Sequence, residues 1–191
     1  MKKIALCVFG VNGVGKTTLL QALVESNTVP VKVFRGSTIL KQALGTTTYE
    51  GLERMSAHKK KQALINGMKA TIASAECDIV IVDTHLIVTI RNGEHLTIED
   101  MWDNAMLEIF NGFIYITADP VVIADRRRMD SERALRITHS APQVCTDDLR
   151  INATRWDEIS PHMSHKQILI NNQTISSGAK KISEFIQAVR A

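Results

Sequence analysis

The feature of this sequence that most constrains its fold is a glycine-rich turn between an apolar run and an amphipathic segment. Residues 10–17 read GVNGVGKT and match the pattern G-x-x-x-x-G-K-[ST]. The preceding run, Ile4 to Phe9, is apolar at every position, which is typical of a strand buried on both faces of a parallel sheet. The following leucines, at 19, 20 and 23, have helical spacing. A strand, a glycine turn and a helix in this order predict a phosphate-binding loop.

Each residue type in the turn has a chemical reason to be there. Glycines allow backbone amides to approach phosphate oxygens, and the start of the helix adds partial positive charge. Lys16 is placed to reach the β and γ oxygens of ATP, and the hydroxyl of Thr17 suits Mg²⁺. Thr18 offers a second hydroxyl that lines the site or caps the helix. We therefore expect ATP and Mg²⁺ as cofactors, bound through Gly10, Gly13, Val14, Gly15, Lys16, Thr17 and Thr18.

The rest of the chain alternates short apolar runs with helical patterns. Further strands are predicted at 31–34, 79–82, 113–116 and 168–170, and helices at 17–24, 38–43, 49–74, from 120 and at 179–189. Hairpin signals are absent from the pattern. The order predicts an α/β three-layer sandwich, with about five parallel strands and helices on both faces. With 191 residues, we expect a single domain over 1–191.

Two residues just after the third predicted strand are candidates for the site. Asp83 ends the apolar run 79–82, where a carboxylate could hold Mg²⁺, usually through water. Helix capping is the alternative role for such an aspartate. His85 either meets substrate or packs against the loop, and the sequence leaves both open.

Basic residues are concentrated in one segment. Arg126, Arg127, Arg128, Arg133 and Arg136 fall within eleven positions, which suits a polyanionic ligand. Phosphoryl transfer between anionic substrates needs such charge neutralisation. Arg127 points away from its neighbours on a helix, so we expect a solvated or salt-bridged surface residue. The lysine run 59–61 is expected on a solvent face, the stretch 140–146 as a mobile loop, and Trp102 and Trp156 as core or loop anchors.

Three further segments carry a family resemblance. They are Ile81-Val-Asp-Thr-His85, then Ala118-Asp-Pro120 followed by Arg126, Asp130 and Arg133, then Ile151-Asn-Ala-Thr-Arg155. Together with the glycine turn, they resemble the archaeal-type adenylate kinases over about four-fifths of the chain. The resemblance implies a P-loop NTPase fold with a mobile lid and reversible phosphoryl transfer from ATP to AMP.

The same resemblance implies roles for individual residues. It gives Lys16, Arg126, Arg133 and Arg155 as catalytic, and Arg54, Asp83, His85 and Arg91 as substrate-binding, with Thr17 and Asp83 at the metal. It also implies a lid at about 126–146 and acceptor-binding helices at about 36–75. The chain departs from the family at Thr89 and Met129, where basic residues are usual, and in segment 93–102. Whether Arg91 replaces the basic residue at Thr89 is open, so the acceptor is the less determined substrate.

Two other functions remain compatible with the sequence. One is a kinase of another small acceptor, in which Asp83 would also accept a proton from a hydroxyl. The other is an ATP-binding regulatory switch with slow hydrolysis that contacts protein or RNA. The paired arginines favour a kinase, because a kinase must bridge two phosphate groups.

Composition limits the setting of the protein. The three cysteines, Cys7, Cys77 and Cys145, are odd in number and lack metal-ligand spacing, which indicates reduced thiols in a cytoplasmic protein. We expect no export signal and no membrane span. The formal charge of +3 does not call for a nucleic-acid partner, so the expected partners are small nucleotides. Relatives of this kind often form homo-oligomers, a state the resemblance leaves open.

Overall fold

The computed structural model describes residues 3–26, 30–46, 48, 51–52, 55–92, 95–130, 140–163, 167–172 and 174–190. Two predicted site residues, Arg54 and Arg133, lie outside these ranges, as does the centre of the predicted lid.

A five-stranded parallel sheet forms the middle layer. Its strands lie in the order β2 (Val31–Arg35), β3 (Ile79–Asp83), β1 (Ile4–Phe9), β6 (Gly112–Thr117) and β7 (Gln167–Asn171). Strand β1 is parallel to both of its neighbours, β3 and β6. The predicted number of strands and the central position of the first strand are confirmed.

Helices cover both faces of the sheet. They are α1 (Lys16–Ser26), α2 (Gly36–Leu44), α3 (Ala57–Ser74), α4 (Met106–Ile109), α5 (Pro120–Met129), α6 (Pro142–Ile159), continued by a 3₁₀ turn (Ser160–Met163), and α7 (Ile175–Arg190). Helices α2 and α3 pack on one face with the C-terminal half of α6. Helices α1, α5 and α7 pack on the other face, with the first part of α6. This is the predicted three-layer α/β arrangement.

The alternation of β1 explains why its sequence is apolar throughout. Ala5, Cys7 and Phe9 belong to the core under α2 and α3, whereas Leu6 and Val8 belong to the core under α1 and α7. Successive side chains of a strand point to opposite faces, so a strand covered on both sides needs apolar residues at every position.

Trp102 and Trp156 are core residues, as predicted. Their rings lie edge-on to Phe9, with centroids 6.2 and 6.3 Å away, and Trp156 also stacks on Tyr115. This aromatic cluster anchors the end of β1, directly before the glycine turn.

An antiparallel pair of strands outside the main sheet contradicts the expectation of no hairpin. Strands β4 (Ile87–Asn92) and β5 (His95–Asp100) pair from Ile87 opposite Asp100 to Asn92 opposite His95. The sequence does carry hairpin signals here, because Asn92-Gly93 precedes a run, His95 to Glu99, that alternates polar and apolar residues. Residues 95–98 are all exposed, so this alternation does not mark a buried face. Ion pairs attach the strands to the neighbouring helices, among them Glu99 with Lys60 at 2.5 Å.

The structure corrects two other local predictions. Lys60 faces the hairpin and is only 4% exposed, so the lysine run is not entirely on a solvent face. The polar stretch 140–146 is not a loop throughout, because α6 begins at Pro142, a residue that suits the first turn of a helix. In the described part of the chain, no helix has the length and apolarity needed to cross a membrane.

Candidate active site

The glycine turn lies at the carboxyl ends of the parallel strands, between β1 and α1. Gly13 and Gly15 have φ angles of +84° and +92°, which side-chain-bearing residues rarely adopt. At Gly15 space is also limiting, because a Cβ atom would lie 2.7 Å from Asn172 Nδ2 and 2.9 Å from Arg126 Nη1. The turn therefore needs glycine for both conformation and close approach.

Lys16 is folded back over the turn. Its side chain is 7% exposed and its Nζ donates to the carbonyl oxygen of Gly10 at 2.6 Å. The same Nζ is 3.8 Å from Asp83 Oδ1, and His85 Nδ1 donates to the same Gly10 oxygen at 3.0 Å. Lys16 thus lies close to Asp83 and His85, which were predicted from a distant part of the sequence.

The carboxyl group of Asp83 is in an unusual environment. Burial raises the pKa of Asp83, and the positive charges of Lys16 and Arg35 only partly oppose this shift. The pairing register places Arg35 beside Asp83 at the ends of β2 and β3. The Asp83 carboxylate is therefore partly desolvated and lies beside cations.

The residues present fit a magnesium ion of the kind that accompanies ATP. Thr17 and Asp83 line the same cavity, supplying one hydroxyl and one carboxylate. Mg²⁺ takes one or two protein ligands and completes its shell with phosphate oxygens and water. Within the described residues, no group of three or more His, Cys, Asp or Glu side chains could form a dedicated metal cage. The donor set therefore suits a metal delivered with its nucleotide.

A cavity of about 540 Å³ opens over the turn. Eight predicted residues line it: Gly13, Gly15, Lys16, Thr17, Thr18, Asp83, His85 and Arg126. Gly10 and Val14 contribute through their carbonyl groups, which accept hydrogen bonds from residues around the cavity. The volume is in the range of small-molecule sites.

Arg126 is held against the turn at one side of this cavity. Its Nη1 donates to the carbonyl oxygen of Val14 at 2.8 Å, and Asn172 Nδ2 donates to the same oxygen at 2.9 Å. The Oδ1 atom of Asn172 is buried without a hydrogen-bond partner among the described residues. Two side chains from distant parts of the chain thus fix one carbonyl of the turn.

Arg127 is buried, contrary to the prediction of a surface residue. Its Nε donates to the carbonyl oxygen of Asn12 and its Nη1 to Asp148 Oδ2, both at 3.0 Å. These partners offset the desolvation of the guanidinium group, which allows a charged side chain to lie 4% exposed inside the fold.

Two predicted arginines do not line the cavity. Arg91, on β4, pairs with Asp148 at 2.7 Å. Arg155, on α6, pairs with Asp100 and Glu158, both at 2.8 Å. In this structure, both guanidinium groups serve the packing of the hairpin and helix α6.

Sequence reasoning missed several residues around the cavity, notably Arg35, Ser37, Thr84 and Asn172. All four lie at or just after the carboxyl end of a strand: β2, β3 or β7. Because ligands of open α/β sheets bind outside these ends, the position alone could have identified them.

Comparisons with known proteins agree with this geometry. A protein-family model described as an AAA domain matches residues 9–140. The crystal structure of shikimate kinase from Bacteroides thetaiotaomicron is similar with a TM-score of 0.62 and 16% identity, covering 96% of this chain and 98% of that chain. Shikimate kinase from Acinetobacter baumannii in complex with shikimate is similar with a TM-score of 0.61 and 15% identity, covering 97% and 94%. No curated protein sequence matches the chain significantly. At these identities, the solved structures show a shared fold.

Proposed function

The chain belongs to the AAA-domain family, and on this premise we propose that it is an ATP- and Mg²⁺-dependent kinase of a nucleoside monophosphate, with AMP as the acceptor. The reaction is ATP + AMP = 2 ADP. The γ-phosphoryl group leaves the bridging oxygen of ATP and bonds to a phosphate oxygen of AMP.

The observation that carries the proposal is the distribution of cations along the cavity. Lys16 lies at the centre, Arg126 on the side of β6, and Arg35 at the end of β2 near the opposite edge of the sheet. Arg126 makes its hydrogen bond to a backbone carbonyl, and no described carboxylate lies within 4 Å of Arg35. Cations on both sides of the phosphate loop suit two anionic substrates that meet over it.

The donor side follows from the turn itself. Lys16 would leave the Gly10 carbonyl and bind the β and γ oxygens of ATP, while Thr17 and Asp83 would hold the magnesium ion. The metal would neutralise phosphate charge and orient the transferred group. Arg126 would exchange the Val14 carbonyl for a phosphate oxygen. Because the acceptor atom is already an ionised phosphate oxygen, the reaction needs no general base.

We assign the acceptor to the side of α2 and α3, which form most of the predicted acceptor segment 36–75. Ser37 lines the cavity, as do Arg35 and His85. Arg54 and Arg133 lie outside the described residues, and their roles in binding phosphate groups stay predictions. Arg155 would join the site after leaving Asp100 and Glu158, when the proposed lid at about 126–146 closes. Closure would exclude water and limit the hydrolysis of ATP.

A second candidate, a kinase of a small hydroxyl acceptor, also has support. Asp83 lies in the cavity beside Lys16, and burial raises its pKa, which would make it a stronger proton acceptor than an exposed aspartate. The shared fold of the two shikimate kinases makes shikimate the first such acceptor to test.

A coupled assay of ADP formation tests the two candidates. Wild-type protein with ATP and Mg²⁺ is offered AMP, CMP, UMP, GMP, dTMP, shikimate or no acceptor, in parallel with Lys16→Ala. We expect turnover with AMP that is lost in the variant. Turnover with shikimate would favour the second candidate, and turnover no higher than the acceptor-free rate would refute both.

A further inference from the structure

A largely buried ion network lies against the phosphate loop, and its members do not line the cavity. Its centre is Asp148 on α6, which is 3% exposed. Asp148 Oδ2 accepts from Arg127 Nη1 at 3.0 Å, and Oδ1 lies 2.7 Å from Arg91 Nη1. Thr89 Oγ1 also donates to Oδ1 at 3.0 Å. One carboxylate thus joins two guanidinium groups, one from α5 and one from the hairpin.

Arg127 connects this network to the loop in two ways. Its Nε donates to the carbonyl oxygen of Asn12 at 3.0 Å. Its Cγ also packs so closely on Gly13 that a Cβ there would lie 3.0 Å away. The guanidinium group and the stem of one side chain therefore fix neighbouring residues of the loop.

The contact with Asn12 determines where a backbone donor points. No peptide bond in the described chain is cis, and in a planar trans peptide the C=O and N–H bonds point in opposite directions. Because Arg127 holds the Asn12 carbonyl towards α5, the amide N–H of Gly13 points away from α5. Asn12 and Gly13 themselves line the cavity, so the fixed amide belongs to the wall of the space that a phosphate group would occupy.

We propose that Asp148 is a positioning residue for the phosphate loop, which acts through Arg127 to keep the Gly13 amide directed at the bound phosphate. Asp148 balances the charge of Arg127 and fixes the direction of its guanidinium group. Without the carboxylate, two buried cations would face each other, and Arg127 would leave the Asn12 carbonyl for water or another acceptor. The loop would then lose one oriented donor.

The test compares Asp148→Asn with Asp147→Asn. Asp147 is the adjacent residue of the same helix, its side chain is 39% exposed, and it pairs only loosely with Arg150 at 3.7 Å, so its variant removes the same charge outside the network. Affinity is measured with a ribose-labelled fluorescent ATP analogue and Mg²⁺, and with inorganic tripolyphosphate as competitor. Thermal stability is recorded for every variant, so that affinity is compared between folded proteins.

We expect Asp148→Asn to weaken binding of both ligands by about tenfold, the effect of losing one well-oriented donor to an anion. Tripolyphosphate should lose as much affinity as the nucleotide because the defect lies in the phosphate loop. Asp147→Asn should bind normally, and Asp148→Glu should recover part of the affinity. Normal tripolyphosphate binding by folded Asp148→Asn, even at reduced stability, would overturn the proposal.

Arg127→Lys decides the question if Asp148→Asn does not fold. Lysine keeps the charge but lacks the planar guanidinium group that donates to the Asn12 carbonyl and to Asp148 at the same time. We therefore expect the same loss of affinity. Unchanged affinity in Arg127→Lys would refute the proposal. The proposal requires phosphate binding but no particular acceptor. A wild-type protein that binds tripolyphosphate but does not phosphorylate AMP would therefore refute the proposed acceptor and leave this inference intact.

Discussion

Replacing Gly15 by alanine should separate backbone strain from the loss of contacts at the loop. A side chain at Gly15, where φ is +92°, carries a strain of about 1–2 kcal/mol. The new Cβ would also lie 2.7 Å from Asn172 Nδ2 and 2.9 Å from Arg126 Nη1. Because these atoms end flexible side chains, we expect them to move away from the Val14 carbonyl rather than the loop to unfold.

The lost contacts set the size of the effect. The two hydrogen bonds to Val14 are together worth about 2–4 kcal/mol, since one of them is donated by a charged group. Hydrogen bonds to water in the open cavity would compensate for part of this loss. The loss of the two contacts therefore costs about 2 kcal/mol in addition to the backbone strain.

Gly45→Ala provides the matched control. Gly45 ends α2 with a φ of +64°, and nothing lies within 4 Å of its potential Cβ. The Gly45→Ala variant should lose about 1–2 kcal/mol of stability from backbone strain and leave the cavity unchanged. At about 3 °C per kcal/mol for a chain of this size, Gly15→Ala should melt roughly 6 °C below the control.

The assay combines thermal denaturation with titration of a fluorescent ATP analogue. We expect the Gly15 variant to lose at least tenfold in affinity while the Gly45 variant binds like the wild type. Equal melting temperatures and equal affinities in the two variants would refute the claim that Asn172 and Arg126 hold the loop.

Three further predictions concern buried polar groups. Because the pKa of Asp83 is raised in the folded state, that state binds more protons than the unfolded chain between about pH 4 and the raised pKa. The free energy of unfolding should therefore fall as pH rises through this window. Chemical denaturation at a series of pH values should show this decrease in the wild type, and the same decrease in Asp83→Asn would contradict the reasoning. Tyr115→Phe should stabilise the protein by about 1 kcal/mol in urea denaturation, because the buried hydroxyl has no partner among the described residues, and a loss of stability would reveal a missed partner. Lys60→Met should lower the free energy of unfolding by about 3 kcal/mol because it leaves Glu99 unpaired. The double variant Lys60→Met/Glu99→Leu should recover most of this stability, and equal stabilities of the single and double variants would argue against the ion pair.

Much of the fold could be predicted because it depends on local patterns. The continuous apolar run from Ile4 to Phe9 identified a strand covered on both faces, and the glycine turn located the phosphate loop behind it. Asp83 and His85 were predicted next to the loop, and both line its cavity. The ends of parallel strands meet at one edge of the sheet, so chain order alone brings such residues together.

The parts that could not be predicted depend on contacts between distant residues. Arg127 was expected at the surface because its burial requires Asp148, which lies 21 positions further along the chain. Lys60 is buried for the same kind of reason, since Glu99 of the hairpin is its partner. The hairpin could have been predicted, because Asn92-Gly93 and the alternating run from His95 to Glu99 are hairpin signals. Its attachment to helices α3 and α6 could not, because it depends on ion pairs between distant residues. A pattern of residue types cannot reveal which charges become partners.

Transfer of labelled phosphate tests the central claim most directly. Protein is incubated with [γ-³²P]ATP, Mg²⁺ and AMP, and the labelled products are separated, with Lys16→Ala as the control. The account predicts that label appears in the β-phosphate of ADP, at a rate that depends on AMP and is lost in the variant. Label found only in inorganic phosphate, at a rate independent of AMP, would contradict it and indicate an ATPase instead.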